Sequence, residues 1–522
     1  MTEKIIRSTS TVGGMTLISR ISGLVRDVAF ANLLGDKAAA DIFLVAFRLP
    51  NFFRRLSAEG AFSAAFVPVF TEFRETRSMD DNRAFLALTS GRFALALALI
   101  CGLGVWMAPW LVTAIAPGFL QDPDKFELTV ETARIAFPYL FFVSLVAMSA
   151  GMLNTCGRFA VPAATPVLLN LCLIVAAIWL APYFADAPVA LAIGVIAAGV
   201  LQLGVQLPFL AREGLMTRPR LRAGSNDQLA DQGSKKVFKL MVPALFGVSV
   251  AQINVLVNTL LASFMVTGSI SWLYYSDRLM EFPVGVFGIA LATVILPNLS
   301  KKHTLKSSDA FGSTLDWACR WVFLVCIPAT AGLILLAEAM IVTIYFHGDF
   351  SELGVRMSTN SLIAFSLGLT AIVLVKVLAT GFFARQDTRT PVRIGAIAVA
   401  VNIVVSLLLF RTMHHVGLAF ATSVAAVVNA VLLYSKLAES GVVHFREGWF
   451  RFLLKVGLAT GAMCAFLFSF RGETIDWYIG SVFWRVGVLS ALILIAALIY
   501  FVTLYLLGIR FRELMQAPEG NR

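Results

Sequence analysis

The chain has 522 residues, of which 58% are hydrophobic and only 14% are charged, and its formal net charge is +11. A soluble globular protein averages about 45–50% apolar and 25% charged residues, so this composition excludes an ordinary soluble enzyme. The positive charge is typical of cytoplasmic loops and their contacts with anionic lipid headgroups. Nucleic-acid binding is disfavoured, because the basic residues are not clustered with aromatic residues that could stack on bases.

Hydropathy predicts about fourteen membrane spans, each long enough to cross a bilayer. They cover residues 10–34, 39–72, 84–115, 130–155, 160–182, 188–211, 238–266, 270–299, 313–346, 358–384, 391–411, 416–438, 449–470 and 481–507. The connections between them alternate between loops rich in Lys and Arg and loops without excess positive charge. The positive-inside rule therefore places both termini in the cytoplasm.

The first two predicted spans carry an unusual concentration of charge. A charged side chain at the bilayer centre costs roughly 2.5–3.5 kcal/mol on insertion scales, so such groups usually face a wet interior. This pattern predicts a polar cavity, and Gly23 and Pro50 are the expected points of bending in the two spans. The charged residues of this stretch are Arg20, Arg26, Asp27, Asp41, Arg48, Arg54 and Arg55.

The longest connection, from Ala211 to Lys239, separates the first six spans from those that follow. Residues 190–214 resemble residues 417–441, and two shorter matches recur at offsets of about 225–230 residues. We infer two parallel six-span repeats, an arrangement found in transporters that bind substrate between the halves. The predicted domains are an N-terminal lobe (1–214), a cytoplasmic linker (215–237), a C-terminal lobe (238–441), and two extra spans with a cytoplasmic tail (442–522).

In the second half, charge is concentrated near the start of the eighth span, where Asp277, Arg278 and Glu281 precede Pro283. Arginines outnumber acids when the two halves are taken together, and a surplus of cations in a cavity favours an anionic ligand. Because the guanidinium fork binds phosphate oxygens bidentately, the hypothesis is a phosphate- or pyrophosphate-bearing substrate. The alternative, that these arginines pair with the nearby acids including Glu59 or extend from helix ends to water, stays open.

No catalytic motif competes with this interpretation. The sequence has no G-x-x-x-x-G-K-[ST], G-x-S-x-G or H-E-x-x-H segment, and its six cysteines are scattered without a C-x-x-C pair. The sequence therefore predicts a transporter without enzyme activity, metal site or bound cofactor. Transport would be driven by an ion gradient, by the membrane potential or by coupling to other proteins.

Seven sequence blocks stand out, and they are residues 19–27, Ala39-Ala40-Asp41, Arg48-Leu49-Pro50-Asn51, Arg54-Arg55, Ala58-Glu59-Gly60-Ala61-Phe62-Ser63, Ala116-Pro117-Gly118-Phe119 and residues 274–283. Together they resemble the MurJ (MviN) family of bacterial lipid II flippases, which belongs to the multidrug/oligosaccharidyl-lipid/polysaccharide exporter superfamily. The resemblance covers essentially the whole chain, and it is most specific in the blocks around Glu59 and Asp277.

This resemblance implies an all-α polytopic protein of the bacterial inner membrane with two six-helix lobes around a cationic cavity. It implies that lipid II is moved from the cytoplasmic to the periplasmic leaflet, with membrane lipids and, transiently, peptidoglycan synthesis proteins as further partners. The two extra spans would hold the polyprenyl tail in a lipid-facing groove. The substrate-binding residues implied by the matched motifs are Arg20, Arg26, Asp27, Asp41, Arg54, Glu59 and Arg278.

Some members of the family resemble sodium-coupled transporters with carboxylates in the seventh and eleventh spans. Here the seventh span offers only Asn254 and Asn258, and the eleventh offers Asn402, so the sequence does not support a sodium site. Coupling to the membrane potential or to a monovalent ion gradient stays open. The competing functions are flipping of another lipid-linked oligosaccharide and a scaffold that transports nothing. A cationic-drug antiporter is disfavoured, because its cavity would be dominated by carboxylates.

Overall fold

The computed structural model describes residues 2–55, 62–304, 308–441 and 448–509. These ranges contain twenty α-helices, numbered here α1 to α20, and no β-strand. The helices fall into two compact units, residues 1–268 with 347–349 and residues 269–346 with 350–522.

The first unit contains ten helices and two short helical turns. The helices are α1 (Thr2–Leu34), α2 (Ala38–Arg54), α3 (Phe62–Thr76), α4 (Met79–Trp106), α5 (Ala108–Ile115), α6 (Pro123–Ala136), α7 (Tyr139–Thr155), α8 (Ala160–Val175), α9 (Ala187–Arg212) and α10 (Gln228–Ser263). A 3-10 turn (Pro117–Gln121) precedes α6, and a π-helical turn (Ala176–Leu180) followed by a 3-10 turn (Ala181–Tyr183) continues α8.

The second unit contains the other ten helices and one π-helical turn (Val284–Gly288) between its first two helices. The helices are α11 (Ser269–Pro283), α12 (Ile289–Thr304), α13 (Ser308–Leu335), α14 (Ala337–Tyr345), α15 (Glu352–Ser366), α16 (Leu369–Phe383), α17 (Arg389–Glu439), α18 (Trp449–Phe470), α19 (Thr474–Ile479) and α20 (Val482–Leu506).

The predicted all-α polytopic class is confirmed. Within the described ranges, eight segments are long and apolar enough to cross a membrane, and nine if α15 and α16, bent by 42°, form one span. The predicted fourteen spans are consistent with this, because each coincides with one helix, with two successive helices or with one half of α17. His414 divides α17, since its φ of 47° and ψ of −134° are not helical, and it lies between the eleventh and twelfth predicted spans.

Stacked phenylalanine rings form one hydrophobic core of the first unit. Phe62 and Phe93 stack with ring centroids 4.0 Å apart, and Phe73 and Phe85 stack at 4.4 Å. These rings are nearly inaccessible and come from α3 and α4, with α7 and α10 contributing further apolar side chains. Stacked aromatic pairs add about 0.5–1.5 kcal/mol each beyond the burial of their area, so they hold these helices in a fixed arrangement.

The connection between α9 and α10 is ordered against this core. Arg220 N–H donates to the carbonyl of Ala87 at 2.8 Å, and a Cβ on Gly91 would lie 2.3 Å from the carbonyl oxygen of Arg220. Because α10 begins at Gln228, part of the segment interpreted as a polar linker is helical. The predicted limits of the two transport lobes stay a prediction, since a lobe is defined by its movement in transport and a compact unit only by its packing.

The two C-terminal spans pack within the second unit. At the start of α18, the Nε1 of Trp449 donates to Oδ1 of Asp316 in α13 at 2.6 Å. In α20, the hydroxyl of Tyr500 donates to the carbonyl of Leu324, also in α13, at 2.6 Å. Both extra spans are therefore fastened to α13 by buried hydrogen bonds at two levels.

Candidate functional site

Arg26 and Asp27 form a buried ion pair in α1. The Nε of Arg26 donates to Oδ1 of Asp27 at 3.0 Å, and one terminal nitrogen of the guanidinium donates to the same oxygen at 2.6 Å. The side chains are only 12% and 4% exposed, so both charges are largely withdrawn from solvent. A buried ion pair in a predicted membrane span costs free energy to assemble, so it marks this part of α1 as a candidate functional site.

Asn170 of α8 holds the Arg26 side chain and the α1 backbone together. Its Oδ1 accepts from Arg26 at 3.0 Å, while its Nδ2 donates to the carbonyl of Ser19 at 3.1 Å and to the hydroxyl of Ser22 at 2.9 Å. Asn170 is buried, and α1 is a continuous helix through this contact. The predicted bending of α1 at Gly23 stays a prediction.

Arg20 lies earlier on α1 and is half-buried. It has no hydrogen-bond or ion-pair partner among the residues that the structure describes. Because arginine keeps its charge in proteins, a half-buried guanidinium with no partner among the described residues is available to an anionic ligand.

Two arginines of α2 hydrogen-bond to neutral side chains. Arg48 hydrogen-bonds to the hydroxyl of Thr259 in α10, and the Nε of Arg54 donates to Oδ1 of Asn51 at 2.9 Å. Pro50 lies inside this helix, as expected from the sequence. The predicted site residue Glu59 lies outside the described residues.

Asp41, near the start of α2, pairs with Lys125 of α6, a residue that the sequence interpretation did not include in the site. The Nζ of Lys125 lies 3.2 Å from Oδ2 of Asp41, and the backbone N–H of Gly268 donates to the same oxygen at 2.8 Å. Lys125 also donates to the hydroxyl of Thr267 at 3.2 Å. Asp41 is therefore embedded in a network of the first unit.

Arg278 in α11 is the predicted site residue of the second unit. It donates to Oε2 of Glu281 at 2.8 Å, and its guanidinium lies 4.9 Å from the ring centroid of Tyr274. The Arg278 and Glu281 side chains are 33% and 48% exposed, so this pair is far more accessible than the pair in α1. An exposed ion pair contributes little to stability, so the Arg278 guanidinium can exchange partners at low cost.

The structure thus brings four of the predicted residues into pairs: Arg26 with Asp27, Asp41 with Lys125, and Arg278 with Glu281. Sequence reasoning missed Lys125 and Asn170. Lys125 follows a helix-capping Asp122 in a stretch that hydropathy assigned to a loop, and Asn170 is a single amide in an apolar span. The signal for Asn170 was its polarity in that span, and the signal for Lys125 was its proximity to the Ala116–Phe119 block.

The residues that the structure describes contain no cluster of three or more His, Cys, Asp or Glu side chains that could hold a metal ion. The site is instead built from guanidinium groups, carboxylates and amides. Its guanidinium groups and amides can bind and release an anion without forming a covalent bond to it.

Comparison with known proteins identifies close relatives over nearly the full length. The family model described as "Lipid II flippase MurJ" matches residues 30–487. A probable lipid II flippase MurJ of Haemophilus influenzae is 45% identical over 514 residues, which cover 96% of this chain and 99% of that protein. The corresponding protein of Vibrio cholerae is 43% identical and covers 99% of both chains.

Solved structures agree with the sequence relatives. A structure described as lipid II flippase MurJ in an inward closed conformation superposes with a TM-score of 0.79 at 26% identity, over 97% of this chain and 99% of that one. An inward-facing multidrug transporter of the MATE family superposes with a TM-score of 0.67 over 81% of this chain and 95% of that one. The identity there is 13%, so this second match concerns the fold alone.

Proposed function

Because the chain belongs to the MurJ family of lipid II flippases, we propose that it moves lipid II across the bacterial inner membrane. Lipid II is the undecaprenyl-pyrophosphate-linked peptidoglycan precursor, and the proposed direction is from the cytoplasmic to the periplasmic leaflet. A flippase relocates its substrate without changing a covalent bond, so the chain is a transporter and not an enzyme. This activity serves peptidoglycan synthesis, and through it cell wall biogenesis and cell shape.

The observation that carries this proposal is the pair of arginines on α1. Arg20 is half-buried without a partner among the described residues, and Arg26 contacts the acid Asp27 and the amide of Asn170. Moving a pyrophosphate through hydrocarbon requires groups that replace its hydration shell, and arginine does this with two parallel N–H donors. The free energy lost in placing guanidinium groups in an apolar protein is then regained when the anion binds.

We propose that transport proceeds by alternating access of two lobes around a central cationic cavity. Arg20 and Arg26 of the first lobe and Arg278 of the second would clamp the pyrophosphate, and Arg278 would exchange Glu281 for the substrate. Asp27, Asp41, Arg54 and Glu59 remain the other predicted site residues. The polyprenyl tail would stay in hydrocarbon against the two C-terminal spans while the headgroup crosses.

The orientation and energetics belong to the same proposal. Both termini would lie in the cytoplasm, in accord with the distribution of Lys and Arg among the loops. Transport would use no bound cofactor and would draw on the membrane potential or on a monovalent ion gradient. Transient contacts with peptidoglycan synthesis proteins would deliver or remove the substrate.

The test is a leaflet-resolved assay in proteoliposomes. Lipid II labelled on its stem peptide is incorporated into both leaflets, and a membrane-impermeant quencher reports how fast the inner pool becomes accessible. The proposal expects exchange that depends on this protein, with membrane potential and sodium varied independently. No acceleration over protein-free liposomes would contradict it, and faster exchange of another lipid-linked oligosaccharide would support the competing substrate.

Arginine variants separate a flippase from a scaffold. Arg20→Ala, Arg26→Ala and Arg278→Ala should each slow exchange at least tenfold while the protein still accumulates in the membrane. Arg218→Ala and Arg393→Ala are matched controls, because both residues are exposed in other parts of the described structure, and they should exchange at the normal rate. A scaffold would tolerate all five changes.

A further inference from the structure

A second network of charges in the first unit has no role in the proposed clamp. It joins Asp41, Lys125 and the turn Pro117–Gln121 to the segment that follows α10. The turn belongs to the Ala116–Phe119 block, which the sequence comparison singled out and the proposed clamp does not use.

The charges of this network are deeply buried. Asp41 is 1% exposed and Lys125 is 7% exposed. Lys125 also lies in the first turn of α6, where the positive end of the helix dipole disfavours a cation. A lysine at such a place loses free energy through both desolvation and the dipole, so it is retained only where its partners compensate. Besides Asp41 and Thr267, the ring of Phe119 compensates it, because Nζ lies 4.2 Å from the ring centroid.

The turn that carries Phe119 is fitted closely to the end of α10. Gly118 N–H donates to the hydroxyl of Ser263 at 3.1 Å, and a Cβ on Gly118 would lie only 2.0 Å from the carbonyl oxygen of Ser263. Only glycine therefore allows this approach. A few residues on, Gly268 has a φ of +101°, which also favours glycine, and its N–H is fixed by Asp41.

Gly268 is the last residue of the first unit in this part of the chain, and α11, which carries Arg278, begins at the next residue. We propose that Lys125 is a positioning residue for transport and that Asp41 acts through it. The buried pair fixes residues 264–268, so that the chain leaves the first unit for α11 from a constant position during the cycle. This inference rests on the proposed lipid II transport, but it assigns Asp41 a role that needs no contact with the substrate.

The test compares single and double variants in the proteoliposome assay. Lys125→Met should lower the maximal exchange rate at least tenfold without changing the lipid II concentration at half-maximal rate, because the substrate contacts are intact. Lys125→Arg should keep at least half of the rate. Lys37→Met is the matched control, because Lys37 is exposed just before α2. This variant should exchange lipid II at the wild-type rate.

The double variant Asp41→Asn with Lys125→Met decides the role of Asp41. It leaves neither charge unpaired, and the amide oxygen introduced at position 41 can still accept from Gly268, so it should exchange at least fivefold faster than Lys125→Met alone. An unchanged rate in Lys125→Met would overturn the inference. So would a double variant no faster than Lys125→Met, or a raised half-maximal concentration in Lys125→Met.

Thermal unfolding in nanodiscs separates this inference from the proposed function. Lys125→Met should melt at a lower temperature than the wild type, and the double variant should recover most of the loss. If the wild type exchanges no lipid II, the proposed function fails, and the melting temperatures alone then support or overturn the role of the Asp41–Lys125 pair in fixing residues 264–268. If the wild type exchanges lipid II and Lys125→Met matches it in rate and melting, only the inference fails.

Discussion

The buried amide of Asn170 hydrogen-bonds α8 to α1, and this leads to a sharp prediction for Asn170→Ala. The side chain is buried and makes three hydrogen bonds, one from the charged Arg26 and two to Ser19 and Ser22 of α1. Alanine removes all three and leaves the guanidinium with Asp27 but without its amide partner.

The magnitude follows from the kinds of bond that are lost. A hydrogen bond to a charged group contributes about 1.5–3 kcal/mol. Hydrogen bonds between membrane helices average about 0.6 kcal/mol in double-mutant cycles. The change should therefore lower the free energy of unfolding by about 3 kcal/mol. Asn154→Ala is the matched control, because Asn154 is exposed at the end of α7, and it should change the stability by less than about 0.5 kcal/mol.

The assay is unfolding of the purified protein in mild detergent, followed by circular dichroism as denaturant is added. The flipping rate of the same preparation should fall as well, because Arg26 is no longer held in place for the substrate. If Asn170→Ala unfolds at the same denaturant concentration as Asn154→Ala and flips at the same rate, the contact does not organise α1 and the reasoning is wrong.

Two further changes test other parts of the structure. Gly118→Ala should lower the free energy of unfolding by about 1–3 kcal/mol in the same assay, because its Cβ would overlap the carbonyl of Ser263, whereas Gly102→Ala, which meets nothing within 4 Å, should not destabilise. In the α16–α17 connection, the hydrogen bond from the Thr390 hydroxyl is the main cause that lowers the pKa of the Asp387 carboxyl below 3.8. The stabilisation of the folded state by the ionised Asp387 carboxyl is present above pH 3.8 and is lost as the pH falls through the lower pKa of the folded state. Thr390→Val should therefore lower the free energy of unfolding at neutral pH and have no effect at the acid end of a stability profile.

The helical class and the order of spans were predictable because each span is a long apolar segment with polar ends. The division of α17 at His414 matches two spans read from hydropathy, since a short polar connection between apolar runs is visible in sequence. The early start of α10 was not predicted, because Gln228 and its neighbours are polar and only packing against α3 and α4 makes that segment part of the core.

The candidate site was predictable only in part, for a similar reason. A charged residue in an apolar span, such as Arg26, stands out in sequence. Its partner Asn170 lies far along the chain, and no local pattern connects the two. Lys125 was assigned to a loop because three acids and a proline surround it, yet the fold buries it against Asp41. Such pairings depend on tertiary structure, and no periodic pattern in a single sequence indicates which distant residues will pair.

The most direct test of the central claim removes the positive charges of the proposed clamp and keeps polar side chains at the same positions. A variant with Arg20, Arg26 and Arg278 all replaced by Gln should accumulate in the membrane and yet exchange labelled lipid II no faster than protein-free liposomes. Gln retains hydrogen-bond donors but no charge, so this loss would assign the function to the guanidinium charges. If the triple variant exchanges lipid II at the rate of the wild type, a cationic clamp for the pyrophosphate does not exist in this protein.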